Sequence, residues 1–112
     1  MKLITKKIQK ALEKQGDTSE LMPDKIKVIF KLFNAAGAGS WYIYQHHEGN
    51  LYWAFANLGD SRFAECGLID LQELEELNRG NYRFMIERDT SLEPGDYTLE
   101  QVINTIKAEG HI

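Results

Sequence analysis

The chain has 112 residues and a formal net charge of −4, with 43% hydrophobic and 27% charged side chains, which bounds it to one ordinary globular domain with a core of its own. Its single cysteine, Cys66, excludes an intramolecular disulfide and a cysteine-based metal cluster, and no apolar run reaches the 18 residues a membrane helix needs. The basic start, Met1 to Gly16, lacks a signal-peptide apolar run, so a soluble cytoplasmic protein is expected.

Charge is divided unevenly. Residues 1–31 carry eight lysines against four acids, and residues 32–112 carry five cations against thirteen acids. A basic first quarter suits an anionic partner, but a solvated lysine face on the helix and a lysine-protected edge strand are the expected account, because helical lysine faces commonly just meet water.

In chain order, Thr5 is an N-cap for a helix over Lys6 to Gln15, with Ile8, Ala11 and Leu12 inward and Gly16 as its stop. Lys25 to Phe33 alternates as a half-buried strand, Ile26, Val28, Phe30 and Leu32 on one side and Lys27, Ile29, Lys31 and Phe33 on the other. Asn34 to Gly39 is a small-residue, flexible connection. It lies between strands with no helix behind it, so it lacks the geometry of a phosphate cradle.

Ser40 to Leu58 then holds six of the twelve aromatic residues in two strands around a polar turn at His47 to Asn50. Period-two alternation puts Trp41 and Ile43 on one face, and Tyr42, Tyr44 and His46 on the other. After the turn, Leu51, Trp53 and Phe55 alternate with Tyr52, Ala54 and Ala56. Arg62 to Ile69 is a fourth strand, interrupted near Gly67.

Asp70 and Glu73 make a capping box for a helix with a Leu71, Leu74 and Leu77 seam. Tyr82 to Asp89 returns to extended structure. Thr98 and Gln101 cap a last helix with Leu99, Val102, Ile103 and Ile106 inward, ended by Gly110. The order α-β-β-β-β-α-β-α predicts an α+β domain: an antiparallel sheet of about five strands with helices packed against it.

Several pieces together are similar to an uncharacterised bacterial family, domain-of-unknown-function family 2958: Leu3-Ile4-Thr5-Lys6, Lys31-Leu32-Phe33, Trp41-Tyr42, the leucine helix over 71–77 and Ile86-Glu87-Arg88-Asp89. The resemblance spans nearly the whole chain. It implies a cytosolic protein of plasmids, prophages and other mobile elements, and supplies no activity or functional residues. An Ala-Gly loop stands at 35–39 where relatives carry a proline-rich or acidic one, and the tail after Asp89 is longer and more helical.

Candidate chemistry is sparse, and no cofactor or metal site is expected. His46 and His47 are adjacent on a strand and point to opposite faces, so they do not chelate one metal. Cys66 sits in an apolar strand and reads as a buried, inert thiol. Glu87 and Asp89 share a face, with Arg88 on the other. They suit ion pairs to Arg62, Arg79 or Arg83, or the acid and base of a hydrolase.

Lys27, Lys31, Phe33, Tyr42, Tyr44 and Tyr52 sharing one face would stack and neutralise single-stranded nucleic acid, which the acidic balance disfavours. The expected function is therefore a non-enzymatic interaction module that binds a protein partner through Tyr42, Tyr44, Lys27, Lys31, Glu87, Arg88 and Asp89. Plasmid-maintenance or anti-defence work suits that setting. Trp53, Phe55, Phe30, Leu74 and Val102 are the expected core.

Overall fold

A computed structural model describes residues 3–80 and 85–110, with Gly80 described as backbone only. Five strands form one antiparallel sheet: β1 (Phe30–Asn34), β2 (Ser40–Glu48), β3 (Leu51–Asn57), β4 (Glu65–Asp70) and β5 (Ile86–Arg88). Their spatial order is β4-β3-β2-β1-β5, so a four-strand meander gains its last strand beside the first. The helices are α1 (Lys6–Gln15), α2 (Leu71–Gly80) and α3 (Leu99–Glu109). The class and element order are those the sequence predicts, with single 3-10 turns added at Pro23–Lys25 and Ser61–Phe63. The expected strand over Tyr82 to Asp89 is seen at Ile86–Arg88; its part over 82–84 lies outside the described residues, as do Arg83 and His111.

The sheet is buried on both faces. On one face, Ile8 and Leu12 of α1 and Leu71 and Leu74 of α2 pack on Phe30, Leu32, Trp41, Ile43, Tyr52 and Ala54. On the other, Leu99, Val102 and Ile106 of α3 pack on Ile26, Val28, Tyr42, Tyr44 and Phe55. Three layers result, α1 and α2 above the sheet and α3 below it.

The helix starts are set locally. The Thr5 hydroxyl accepts the Ile8 N–H (3.2 Å). The Asp70 carboxylate accepts those of Gln72 (2.8 Å) and Glu73 (3.4 Å). Thr98 and Gln101 bond reciprocally as a capping box. Each cap satisfies N–H groups that the first helical turn leaves without partners. Gly110 closes α3 with φ 84°, a left-handed turn that glycine adopts without a Cβ penalty.

Two bulges move side chains between faces. The Ile29 N–H donates to the Ile43 carbonyl (2.8 Å) while Phe30 pairs with the same Ile43, so two residues oppose one. Phe30 and Leu32 therefore face α1 and α2, whereas Ile26 and Val28 face α3, in contrast to the single stripe expected from alternation. Regular strand begins only at Phe30. Upstream, the Val28 N–H donates to the Tyr97 carbonyl (2.9 Å), and the Val28 carbonyl accepts the Gly95 N–H (3.0 Å). In β2 the register steps from Ile43–Ala54 to Gln45–Trp53. The extra residue carries His46 onto the face of Tyr52, with ring centroids 4.6 Å apart, and away from Tyr42 and Tyr44.

The Asn34 to Gly39 connection is held rather than loose. The Asn34 carboxamide accepts the N–H groups of Ala36 (3.1 Å) and Met85 (2.9 Å) and donates to the Ala38 carbonyl (3.3 Å). Gly39 has φ 126°, and a Cβ there would lie 3.2 Å from the Trp41 ring, so both backbone and space call for glycine.

Candidate interaction site at an open sheet edge

The residues expected to bind a partner are dispersed. Tyr42 is 1% exposed and Tyr44 6%, both beneath α3, so neither offers a ring face to a base or a partner. Tyr52 lies on the opposite face. The bulge at Ile29 and Phe30 also separates the lysines. Lys31 stays on the α3 face, its Nζ 5.3 Å from the Tyr42 ring centroid. Lys27 lies in the groove lined by Ala11, Gln15 and Ile29 of the α1 side. The Lys27 backbone is clamped by the Gln15 carboxamide, which accepts its N–H (2.8 Å) and donates to its carbonyl (2.9 Å). The stacking platform that single-stranded nucleic acid requires is not assembled from these residues.

Glu87 and Asp89 do fall on one face, with Arg88 on the other, since Glu87 pairs with Phe33 and Arg88 with Leu32. Asp89 is occupied locally. Its carboxylate accepts the Ser91 N–H (2.9 Å) and hydroxyl (2.5 Å), and its other oxygen is 3.9 Å from Lys31 Nζ. Among the described residues Asp89 is served by Lys31 rather than an arginine, and Arg62 binds Asp60 (2.8 Å); Arg83 lies outside the described residues. Burial works against the Asp89 carboxylate, but the Ser91 hydrogen bonds and the Lys31 charge outweigh it and hold its pKa below the ordinary value.

The two sheet edges are finished differently. In the β1–β5 ladder, Ala35 donates to Met85 (2.8 Å) and Asp89 donates to Lys31 (2.9 Å). Alternation therefore turns the backbone of Ile86 outward. There the Asn78 side chain of α2 takes the place of a missing strand, accepting the Ile86 N–H (2.6 Å) and donating to its carbonyl (3.0 Å).

At β4 no such cover exists among the described residues. Leu71 donates to the Asn50 carbonyl (2.9 Å), one step past the Asp70–Leu51 pair. Glu65, Gly67 and Ile69 consequently bond β3, while the N–H and C=O of Cys66 and Leu68 point away from the sheet. Among the described residues nothing bonds those outward groups.

The side chains along this edge are exposed as well. Leu68 is 44% exposed beside the half-buried Trp53, with which it pairs. Across the sheet, Gly67 has no heavy atom within 4 Å of where a Cβ would stand, leaving a notch at the rim. The strand runs unbroken through Gly67, contrary to the interruption expected there, and starts at Glu65 because Ser61–Phe63 forms a 3-10 turn. Cys66 is exposed rather than buried, because β4 is the outermost strand. Desolvation pushes its thiol pKa up and Glu65 adds to this, outweighing the opposing hydrogen bond with Tyr44, so the thiolate an attacking nucleophile needs is disfavoured.

A groove between Thr18, Ile26, Tyr44, His47 and Trp53 lies inboard on the same face. His47 meets Trp53 edge-on at 6.1 Å. The Thr18 N–H and hydroxyl both donate to the Gln45 side-chain oxygen (2.9 and 2.6 Å), so these polar groups of the wall are already paired.

The open edge escapes a reading by residue type. A glycine in a short strand reads as an interruption, and which strand is outermost is not written in its own residues. Two signals were legible: β4 has no lysine and no proline, the usual blunting residues of an edge. Residues 3–112 match the model of a family described as "Protein of unknown function (DUF2958)". No curated protein and no solved structure shows a match to the chain.

Proposed function

We propose that this chain, which belongs to the DUF2958 family of proteins of unknown function, is a non-enzymatic interaction module that captures an extended segment of a partner protein as a sixth strand beside β4. One observation carries the reading: β5 has its outward backbone groups at Ile86 occupied by Asn78, while those of Cys66 and Leu68 on β4 have no partner among the described residues. Unpaired strand edges template the addition of another strand, and the main-chain bonds supply affinity. The exposed Leu68 and half-buried Trp53 beside it supply apolar area for alternate side chains of the added segment.

The cytoplasmic, mobile-element setting, with plasmid-maintenance or anti-defence work, belongs to this proposal and rests on kinship with the family. Within the described residues no helix is long and apolar enough to cross a membrane.

The test uses Leu68→Pro. The Leu68 N–H points outward, so proline there spares the β3–β4 ladder and removes one donor from the edge. A protein captured from bacterial lysate by the unmodified chain should be lost with this variant. In the complex, amide exchange should slow at Cys66 and Leu68. Equal capture by both baits, or unchanged exchange at these amides, would overturn the reading.

A further inference from the structure

Resting on capture at β4, we infer that the captured segment is basic at its ends and apolar at the two adjacent positions between them that face Leu68 and Gly67. The edge itself sets this chemistry. Along β4, exposed Glu65 stands at one end and half-buried Asp70 at the other, and Asp70 leads directly into exposed Glu73, Glu75 and Glu76 of α2. Two cations close to the first end leave the Glu65 carboxylate unpaired among the described residues. Lys107 Nζ donates to the carbonyls of Ala64 (2.7 Å) and Arg62 (3.4 Å), and the Arg62 guanidinium binds the Asp60 carboxylate.

Residues 32–112, which hold the whole edge, carry five cations against thirteen acids. A lysine or arginine opposite each end of β4 meets a carboxylate, whereas an acidic segment meets like charge across the strand pair. Between the ends, an apolar side chain covers Leu68 and Trp53 on the α3 face. A large one on the other face fills the notch at Gly67, where a cross-strand side chain shields a glycine that has none of its own. A second copy of this chain offers the same acidic strand and therefore fits the edge less well than a basic partner.

The experiment uses two synthetic probes with the full chain: the hexapeptide Lys-Thr-Val-Phe-Thr-Lys, whose end residues stand five apart and on opposite faces as Glu65 and Asp70 do, and the same peptide with glutamate at both ends. Binding is followed by fluorescence anisotropy at low and high salt. The lysine peptide should bind about fivefold or more tightly than the glutamate peptide at low salt, as two exposed charge pairs allow, and the gap should close with salt. Glu65→Lys should narrow or invert the preference.

Leu68→Pro should abolish binding of both peptides. Should that variant fail to fold, Leu68→Lys, which keeps every backbone bond, should weaken the lysine peptide. Equal affinity of the two peptides, both lost with Leu68→Pro, would leave strand capture standing and overturn the basic partner. Binding of both peptides to Leu68→Pro as tightly as to the unmodified chain would overturn capture at β4 itself. No binding of either peptide would overturn the inferred chemistry. Elution of the unmodified chain as a dimer that Leu68→Pro converts to monomer would make a second copy the occupant and overturn it too.

Discussion

Trp53 and Phe55 sit two residues apart on β3 and both face α3, yet they differ in what holds them. Phe55 is 2% exposed under the helix, while Trp53 lies nearer the rim with Leu68 beside it and keeps part of its ring in water. The sequence placed both in the core. Phe55→Ala should cost about 3–5 kcal/mol, as truncation of a packed aromatic does. Trp53→Ala should cost less, despite the larger ring, because less of its area leaves water on folding. Urea midpoints of the two variants decide the order.

Asp89 makes a second prediction at this scale. Its folded pKa lies below the ordinary carboxylate value of about 3.9, so its contribution is fully present above that value and lost as pH falls through the folded pKa. Asp89→Asn should be less stable than the unmodified protein at pH 7, and the two should converge near pH 2. Magnesium or manganese should leave the melting temperature unchanged. A rise that disappears in Asp89→Asn would identify a cation site and overturn the structural role.

At the scale of elements, α2 both covers one sheet face and finishes an edge. Leu71 and Leu74 supply the cover, and Asn78, two turns along the helix from its start, reaches the outward backbone of Ile86. Each of these two hydrogen bonds is worth about 0.5–1.5 kcal/mol. Asn78→Ala should lower stability by roughly the sum and make β5 a second open edge, raising the tendency to self-associate. Denaturation midpoints and light scattering report the two effects separately. The loop from β5 to α3 is held from the other side: Lys7 of α1 pairs with Glu93, and Gly95 and Tyr97 bond the Val28 backbone. Two segments distant in sequence, α1 and the stretch at Val28, thus fix where α3 begins.

For the whole molecule, the two edges give a pattern of amide exchange that depends on topology alone. Gly67 and Ile69, bonded to β3, should exchange slowly, while Cys66 and Leu68 between them should exchange close to the rate of exposed amides. Ile86, outward on the opposite edge, should be protected because Asn78 bonds it. Uniform protection along β4 would show that the edge is covered, and the proposed capture would lose its basis.

Much of the architecture was readable before the structure because it is local. Thr5, Asp70 and Thr98 stand where helices begin, the leucine and valine spacings mark inward stripes, and the aromatic strands over 40–58 pair across a tight turn now seen at Gly49 and Asn50. These features depend on residues within a few positions of one another. Sheet-face membership does not. Strand alternation has a period of two, so one inserted residue sends all later side chains to the opposite face. The bulges at Ile29-Phe30 and Tyr44-Gln45 did this, separating Lys27 from Lys31 and His46 from Tyr44. The sequence by itself determined which segments are strands and helices and how each helix starts. Only tertiary structure decided that β4 is outermost and left open while Asn78 covers β5 at Ile86, because strand order is set by hydrogen bonds between segments far apart in the chain.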